Sequence, residues 1–326
     1  MLTFRNKSIL AVSIASAIVT LGPIGEASAQ QYPNQRITFL VGFAAGGFAD
    51  SVARIVGDHV GNVLHQPVIV ENRGGAASNI AARAVASSPA DGYTVLVSTT
   101  SLTVNATLYK KIDYSLVKDF IPVAIAVRAP EQFSVNPSRP GTFKEFLAAA
   151  KTKRFTYGSA GVGSGSYLTW FAFFKVTAKV NVAHVPFKGG ALANQAAVGG
   201  QIDGLAATAS GNTVSQVTNG SLVCLAVAAA KRYRNLPNCP TLAESGFPGI
   251  EASSWVGFWV PAGTPANVVA TLNKAINSID GNAKAADNLK RNGELSALSV
   301  DETAAFVKSE IESWGARVKA AGAEVN

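Results

Sequence analysis

An apolar strand, a pair of glycines and a helix follow one another within residues 36–54. The apolar and β-branched run 36–43 predicts a buried strand, which Gly46 and Gly47 break, and the residues after them return to helical spacing. A strand that ends this way and opens a helix leaves backbone N–H groups unpaired and pointing in one direction. With the helix dipole behind them, these groups form a site for a carboxylate, phosphate or sulfate. The alternative is a tight turn in which glycine satisfies only the backbone.

Strands and helices continue to alternate after this unit. Strands at 67–71 and 93–98 with a helix at 80–86 give a βαβαβ order, which is typical of a parallel sheet covered by helices. A further strand is expected at 121–127. A second α/β block follows Pro137, with helices and strands expected at 143–153, 155–158, 167–176, 181–185, 191–198, 201–206 and 222–228. The fold class is therefore α/β, with a mainly parallel sheet in each of two domains.

The first 29 residues have the pattern of a secretory signal peptide. Arg5 and Lys7 precede an apolar stretch at 9–21, and Ala27-Ser28-Ala29 supplies a cleavage signal. We expect cleavage near Ala29 and export of the mature protein. A strand at 255–260 and helices beginning at 265 and 302 complete the chain. The expected domains are 30–132 with 257–326, and 133–256.

The composition argues against several classes of protein. The net charge is +8, but no run of five Lys or Arg residues appears, so nucleic acid is not an expected partner. The three histidines lack metal-ligand spacing, and no G-x-S-x-G or P-loop motif occurs. The glycines at 161–165 do not complete a dinucleotide fingerprint, because position 166 is serine. We therefore expect no metal, no cofactor and no enzymatic activity.

The two cysteines are Cys224 and Cys239. Two thiols at this spacing exclude a C-x-x-C redox pair and a four-ligand zinc site. In an oxidising compartment they could form a disulfide, or they could remain unpaired and buried.

Several loops of small and hydroxyl residues follow predicted strands. They are Gly46-Gly47, 98–101, 158–164 and 187–190. Such loops offer backbone N–H and hydroxyl donors without a general base, which suits reversible binding of an oxyanion. Asp50 would repel an anion, so we expect it to cap the helix by accepting from the N–H groups of the first turn. Phe48, Tyr167 and Phe187 could contact the carbon skeleton of a ligand, whereas Trp170 is expected to pack in the core.

The chain resembles the periplasmic solute receptors of tripartite tricarboxylate transporters, the TctC or Bug family. The resemblance covers essentially the whole mature chain and is carried by Ala45-Gly46-Gly47-Phe48-Ala49-Asp50, Val70-Glu71-Asn72-Arg73, Ser88-Pro89-Ala90-Asp91-Gly92-Tyr93-Thr94, Tyr157-Gly158-Ser159-Ala160-Gly161, His184-Val185-Pro186-Phe187-Lys188-Gly189, Gly199-Gly200-Gln201-Ile202-Asp203, Pro240-Thr241 and Glu244-Ser245-Gly246-Phe247-Pro248-Gly249.

The resemblance implies a two-domain, venus-flytrap fold of the type II periplasmic-binding-protein kind. It also implies a ligand carboxylate held between the domains by backbone amides and bridging waters. The expected ligand-binding residues are Gly46, Gly47, Phe48, Ala49, Asp50, Thr99, Thr100, Ser101, Ser159, Ala160, Gly161, Gly163, Ser164, Tyr167, Phe187, Lys188 and Asp203. The chain departs from the family pattern at Ala45, Phe48, Tyr167 and Gly74-Gly75, and Phe48 and Tyr167 favour an apolar or aromatic carboxylate.

The resemblance thus implies a monomeric periplasmic receptor that delivers a small organic carboxylate to a membrane permease. The ligand classes considered are di- and tricarboxylates, aromatic carboxylates and acidic amino acids. Two other functions remain open: a ligand-sensing co-receptor for a membrane sensor kinase, and an exported enzyme on the same fold.

Overall fold

The computed structural model describes residues 32–325 and builds them from ten β-strands and ten α-helices. The strands are β1 (Ile37–Val41), β2 (Val68–Asn72), β3 (Thr94–Thr99), β4 (Phe120–Val135), β5 (Phe155–Ser159), β6 (Val182–Pro186), β7 (Gly204–Thr208), β8 (Val223–Val227), β9 (Ser253–Pro261) and β10 (Glu294–Leu295). The helices are α1 (Phe48–Leu64), α2 (Asn79–Ala86), α3 (Ser101–Leu108), α4 (Phe143–Ala149), α5 (Gly165–Ala172), α6 (Gly190–Val198), α7 (Gly211–Thr218), α8 (Ala266–Asn277), α9 (Ala283–Lys290) and α10 (Val300–Ala321). The signal peptide predicted at 1–29 lies outside the described residues.

The strands form two groups that share β4. In the first group the order is β2-β1-β3-β9-β4, with β1, β2 and β3 parallel and β9 antiparallel to both of its neighbours. In the second group β7 and β8 pair with the end of β4, and β7, β5 and β6 are parallel. The predicted α/β class with largely parallel strands is confirmed. The boundaries predicted between the two domains stay a prediction.

The long strand β4 changes partners between Pro130 and Glu131. Pro130 lies opposite Ser253 of β9, whereas Glu131 lies opposite Thr208, the last residue of β7. On the other side of this crossing, β3 ends at Thr99. The carboxyl ends of strands from both groups therefore point towards the same crossing, and the helices that follow those strands begin there.

Two parts of this fold are not signalled by the sequence. The helices α3, α7 and α9 lack a prediction, and α3 illustrates why: it is rich in Ser, Thr, Val and Asn, and most of its residues are buried rather than confined to one face. Strand β4 runs well past the predicted end at 127. A proline such as Pro130 usually indicates the end of a strand, because it cannot donate a backbone hydrogen bond. Here Pro130 lies where β4 changes its partner from β9 to β7.

Aromatic side chains fill the core of each group. In the second group Phe133 packs against Phe146, Trp170 and Phe174, with ring centroids 5.0–5.2 Å apart. Trp170 is fully buried, so the prediction that it belongs to the core is confirmed.

None of the helices in residues 32–325 combines the length and apolar character that crossing a membrane requires.

Cys224 of β8 and Cys239 form a disulfide, which is one of the two arrangements that the sequence allows. It ties the loop before Pro240 to strand β8, which pairs with β4 in the second group, and Cys239 is almost fully buried.

We predict that replacing both cysteines with serine lowers the free energy of unfolding by about 3 kcal/mol, because the bond closes a loop of 15 residues in the unfolded chain. Urea denaturation followed by circular dichroism measures this. A reducing agent should destabilise the wild type and leave the double-serine variant unchanged. An unfolding midpoint that is insensitive to both changes would contradict the prediction.

Candidate functional site

A cavity lies where the carboxyl ends of the strands meet, and it contains about 600 Å³ of space between atoms, part of it continuous with solvent. Members of all four predicted loops line it. From the predicted residues it brings together Gly47, Phe48, Ala49, Thr99, Ala160 and Ser164. The other lining residues are Phe43, Glu131, Gly165, Ser166, Gly190, Ala191, Asn194, Ala206, Ala207, Thr208, Ser210, Asn212, Thr213 and Ser254.

Four helices present their first residues to this cavity: α1, α5, α6 and α7. The side chain of Ser164 caps α5 by accepting from the N–H of Tyr167, and at the start of α7 the N–H of Ser210 donates to the hydroxyl of Thr213. The N-cap residues of α1 and α6 are Gly47 and Gly189, so these two helices have no side-chain cap. The free N–H groups and dipoles of α1 and α6 therefore make the cavity attractive to an anion.

The N-termini of α1 and α6 approach each other across Gly47. A Cβ atom built on Gly47 would lie 3.7 Å from the nitrogen of Ala191 and 3.9 Å from that of Gly190. These are ordinary contact distances, and the backbone of Gly47 is extended, so a side chain fits there without strain. It would, however, fill the space directly in front of the α6 amides.

Asp50 holds the glycine turn rather than capping α1. Its carboxylate accepts from the N–H of Gly46 at 2.8 Å, from Asn72 at 2.8 Å and from Arg54 at 3.1 Å. Burial opposes ionisation, but the hydrogen bonds from Arg54, Gly46 and Asn72 outweigh it and hold the pKa of Asp50 below its usual value. The expectation that Asp50 accepts from the first turn of the helix is corrected, because Gly46 precedes that helix.

This turn is also linked to the second group of strands. The N–H of Ala44 donates to the carbonyl of Lys188 at 3.3 Å, and Asn212 of α7 donates to the carbonyl of Gly46 at 3.4 Å. Gly46 has a φ of +78°, a backbone conformation that favours glycine. The loops on both sides of the cavity are thus in direct contact.

Several predicted residues lie beside the cavity without lining it. Thr100 is buried, and its hydroxyl accepts from the N–H of Trp255 and from the hydroxyl of Ser254. The hydroxyl of Ser101 lies 3.0 Å from that of Thr99. Gly161, Phe187 and the exposed Lys188 line a neighbouring pocket that shares Phe43 and Ala160 with the first. Gly163 lies in the turn before α5, with a φ of +100°.

Ser159 and Tyr167 both contact His184, which is half-buried. The hydroxyl of Ser159 lies 2.7 Å from Nε2 of His184, and the ring centroids of Tyr167 and His184 are 4.6 Å apart. Burial lowers the pKa of His184 to about 4 and raises that of Tyr167. These side chains therefore stabilise the loop at 158–164 and do not line the cavity.

The structure does not bring Asp203 to the cavity. Asp203 precedes β7, at the opposite end of that strand from Thr208. Its carboxylate accepts from the backbone and hydroxyl of Thr156 and pairs with Arg139 at 2.7 Å. This arrangement fastens β5 to β7.

Glu131 lines the cavity, although the sequence analysis does not single it out. It is fully buried, and its Oε2 accepts a long hydrogen bond of 3.4 Å from Thr208, while Oε1 has no partner among the described residues. Gly165 makes room for the carboxyl, since a Cβ there would lie 2.9 Å from Oε1. Burial raises the pKa of Glu131 to about 8, and the Thr208 bond offsets only part of the rise. The only sequence signal is a lone acidic residue beside Pro130 in an apolar stretch.

A larger groove elsewhere contains several cationic side chains, but most of them are engaged. Arg128 stacks on Phe306, with its Cζ 4.0 Å from the ring centroid, and Arg317 donates to a backbone carbonyl. Arg232 pairs with Glu244, and Arg234 donates to the carbonyls at 290 and 293. The groove is therefore a weaker candidate for an anion site.

Residues 32–325 contain no cluster of side chains suited to a metal ion.

Comparison with known proteins identifies relatives along most of the chain. Residues 52–323 match the family model described as the tripartite tricarboxylate transporter family receptor, TctC. Protein BugT of Bordetella pertussis is 30% identical over 331 residues, covering 98% of this chain and 99% of BugT. The structure of the periplasmic binding protein BugD superposes with a TM-score of 0.85 at 32% identity, covering 90% of this chain and 99% of BugD. An R. palustris protein with adipate has a TM-score of 0.85 at 30% identity, over 90% of this chain and all of that one. The predicted periplasmic-binding-protein fold is confirmed by these structures.

We predict that Glu131→Gln stabilises the ligand-free protein increasingly as the pH rises. In the unfolded chain Glu131 ionises near pH 4.5, whereas in the folded protein it keeps its proton up to about pH 8. Its favourable contribution is therefore complete below pH 4.5 and is lost as the pH approaches 8. Linkage gives up to about 4 kcal/mol between pH 5 and pH 8.

Urea denaturation of both proteins at pH 5 and pH 8 tests this. Glu312→Gln, on the exposed face of α10, is the matched control and should follow the wild type. A stability difference between wild type and Glu131→Gln that does not change with pH would show that Glu131 is ionised at neutral pH in the folded protein.

Proposed function

The chain belongs to the family of tripartite tricarboxylate transporter receptors, and from that premise we propose that it captures a small organic carboxylate in the periplasm. Delivery to the membrane permease of a tripartite transporter is the finer part of the proposal. It is supported by family membership and by the signal-peptide pattern at 1–29.

One observation carries the carboxylate assignment. The uncapped N-termini of α1 and α6 meet at a cavity whose described lining contains no Lys, Arg or His. An anion in this cavity would be held by backbone N–H groups and by the hydroxyls of Thr99, Ser164 and Ser166. That chemistry suits a carboxylate that must be released again, because no permanent opposite charge fixes it. The related R. palustris structure contains adipate, a linear dicarboxylate, which supports this ligand class.

The remaining lining is suited to a carbon skeleton. Phe43 and Phe48 contribute aromatic surface. Ala191, Ala206 and Ala207 contribute small apolar side chains, which leave space for a ligand. Phe48 also packs against the apolar cluster around Ala129 and Ala209, so it reaches from the α1 turn to the second group of strands. We propose that Phe48 contacts the ligand and favours skeletons with apolar surface.

The proposal predicts that Gly47→Val weakens carboxylate binding about 10- to 100-fold, because the new side chain blocks the amides of Gly190 and Ala191 without straining the backbone. A thermal-shift screen with adipate, succinate, benzoate and L-glutamate identifies a ligand, since binding to the folded state raises the apparent stability. Calorimetry then measures its affinity for both proteins.

Gly141→Val is the matched control, because Gly141 lies outside the cavity and has open space around it. It should bind like the wild type. Unchanged affinity in Gly47→Val would overturn the role of the helix N-termini. Conversion of the bound carboxylate to a product, followed by NMR over hours, would overturn the assignment as a receptor.

A further inference from the structure

A further pocket lies in the second group of strands, where α5 ends and β6 begins. It contains about 880 Å³ of space between atoms, part of it continuous with solvent, and it shares no lining residue with the carboxylate cavity. Its lining combines apolar side chains with two lysines, a tyrosine and an asparagine: Tyr157, Phe171, Phe174, Lys175, Lys179, Val180, Asn181 and Val182. A ligand in this pocket would therefore occupy a site of its own.

The pocket lining includes a buried residue whose hydroxyl group has no partner. Tyr157 is 1% exposed, and its Oη forms no hydrogen bond within residues 32–325. Because β5 pairs with β6 on one side and with β7 on the other, the part of Tyr157 that reaches the pocket is its side chain. Burial raises the pKa of Tyr157, so the hydroxyl keeps its proton and remains a donor. A buried donor is costly unless a bound group supplies the acceptor.

Two lysines give the pocket a positive charge. Lys175 lies in a π-helical turn (Phe173–Thr177) that continues α5, and its Nζ lies 4.9 Å from the ring centroid of Phe171. Lys179 follows this turn with a φ of +52°, in the left-handed region that glycine usually occupies at the end of a helix. Both lysines are exposed, and the described residues that line the pocket include no Asp or Glu. The pocket therefore attracts anions.

The remaining walls are apolar and are shaped by the π-helical turn. In this turn the N–H of Ala178 donates to the carbonyl of Phe173, five residues earlier, at 2.8 Å. Turns of this kind are rare and occur frequently at functional sites. The ring of Phe174 packs against that of Tyr157, with centroids 5.5 Å apart, so an aromatic wall adjoins the residue with the unpaired hydroxyl.

We propose that this pocket binds a small organic anion that has a doubly charged head, such as a phosphate monoester, and a short apolar body. The two ammonium groups match the charge of the head, and lysine is a common partner of phosphate. The head also offers several acceptor oxygens, one of which takes the hydrogen bond of the Tyr157 hydroxyl. The phenylalanine and valine side chains contact the apolar body.

This site differs from the carboxylate cavity in the source of its attraction. The cavity uses backbone N–H groups at helix N-termini, whereas this pocket uses two exposed ammonium groups. Salt screens the attraction between exposed charges. Affinity for the doubly charged ligand should therefore fall several-fold when the salt concentration is raised from about 20 mM to about 300 mM.

Three probes test the head and the body separately in the mature protein. Phenyl phosphate has both parts, inorganic phosphate has only the head, and benzyl alcohol has only an apolar body with a neutral hydroxyl. Calorimetry is carried out at about pH 8, where a phosphate monoester carries close to two negative charges. We expect a Kd below about 1 mM for phenyl phosphate, affinity about tenfold weaker for inorganic phosphate and no measurable binding of benzyl alcohol.

Amide spectra of the ¹⁵N-labelled protein locate the bound phenyl phosphate. The largest shift changes should occur at Lys175, Lys179 and Asn181. The amides of Gly190 and Ala191, at the carboxylate cavity, should be unaffected.

Two sets of variants test the named groups. Tyr157→Phe removes only a hydroxyl that has no partner, so it should be as stable as the wild type in urea and bind phenyl phosphate about five- to tenfold more weakly. Lys175→Gln combined with Lys179→Gln should weaken binding at least about tenfold and remove its salt dependence. Lys308→Gln, on the exposed face of α10, is the matched control and should bind like the wild type.

Binding of phenyl phosphate at this pocket, weakened in both sets of variants, supports the proposal. Absence of binding, equal affinity for inorganic phosphate, unchanged affinity in Tyr157→Phe, or shift changes confined to the carboxylate cavity would overturn it. None of these results bears on the proposed function, because carboxylate binding in the cavity is measured separately.

Discussion

The crossing of β4 from one group of strands to the other determines where the strand ends and helix N-termini of the site lie. Because β4 exchanges β9 for β7 between Pro130 and Glu131, strand ends from both groups face one point. The helices that follow those strands begin at that point and bring their dipoles together. An anion site made of backbone therefore follows from the topology, with little need for charged side chains.

The same topology buries the side chain of Glu131, and burial disfavours the ionised form of its carboxyl group. The residue next to the crossing is part of the sheet through its backbone, so its side chain enters the cavity whatever its chemistry. Here that side chain is a carboxyl, and the described residues that line the cavity include no Lys, Arg or His. The uncapped N-termini of α1 and α6 attract an anion, whereas this carboxyl group lies where burial favours its neutral form.

The sequence could predict the parts of the site that depend on local patterns. The strand, glycine pair and helix at 36–54 reveal β1, the turn and α1, because hydrophobic spacing and glycine act over a few residues. Glu131 could not be found this way, since its position depends on where β4 changes partner. The N-terminus of α7 was hidden by its polar composition. Asp203 belongs to a motif shared with the family, yet strand direction places it at the far end of β7.

An NMR titration tests the central claim that backbone amides at helix N-termini hold the ligand. Amide spectra of the ¹⁵N-labelled protein would be recorded while a carboxylate identified in the thermal-shift screen is added. The account predicts that the largest shift changes occur at Ala49, Gly190 and Ala191, at the starts of α1 and α6. Changes concentrated instead at Arg128, Arg234 and Arg317, in the cationic groove, would contradict it.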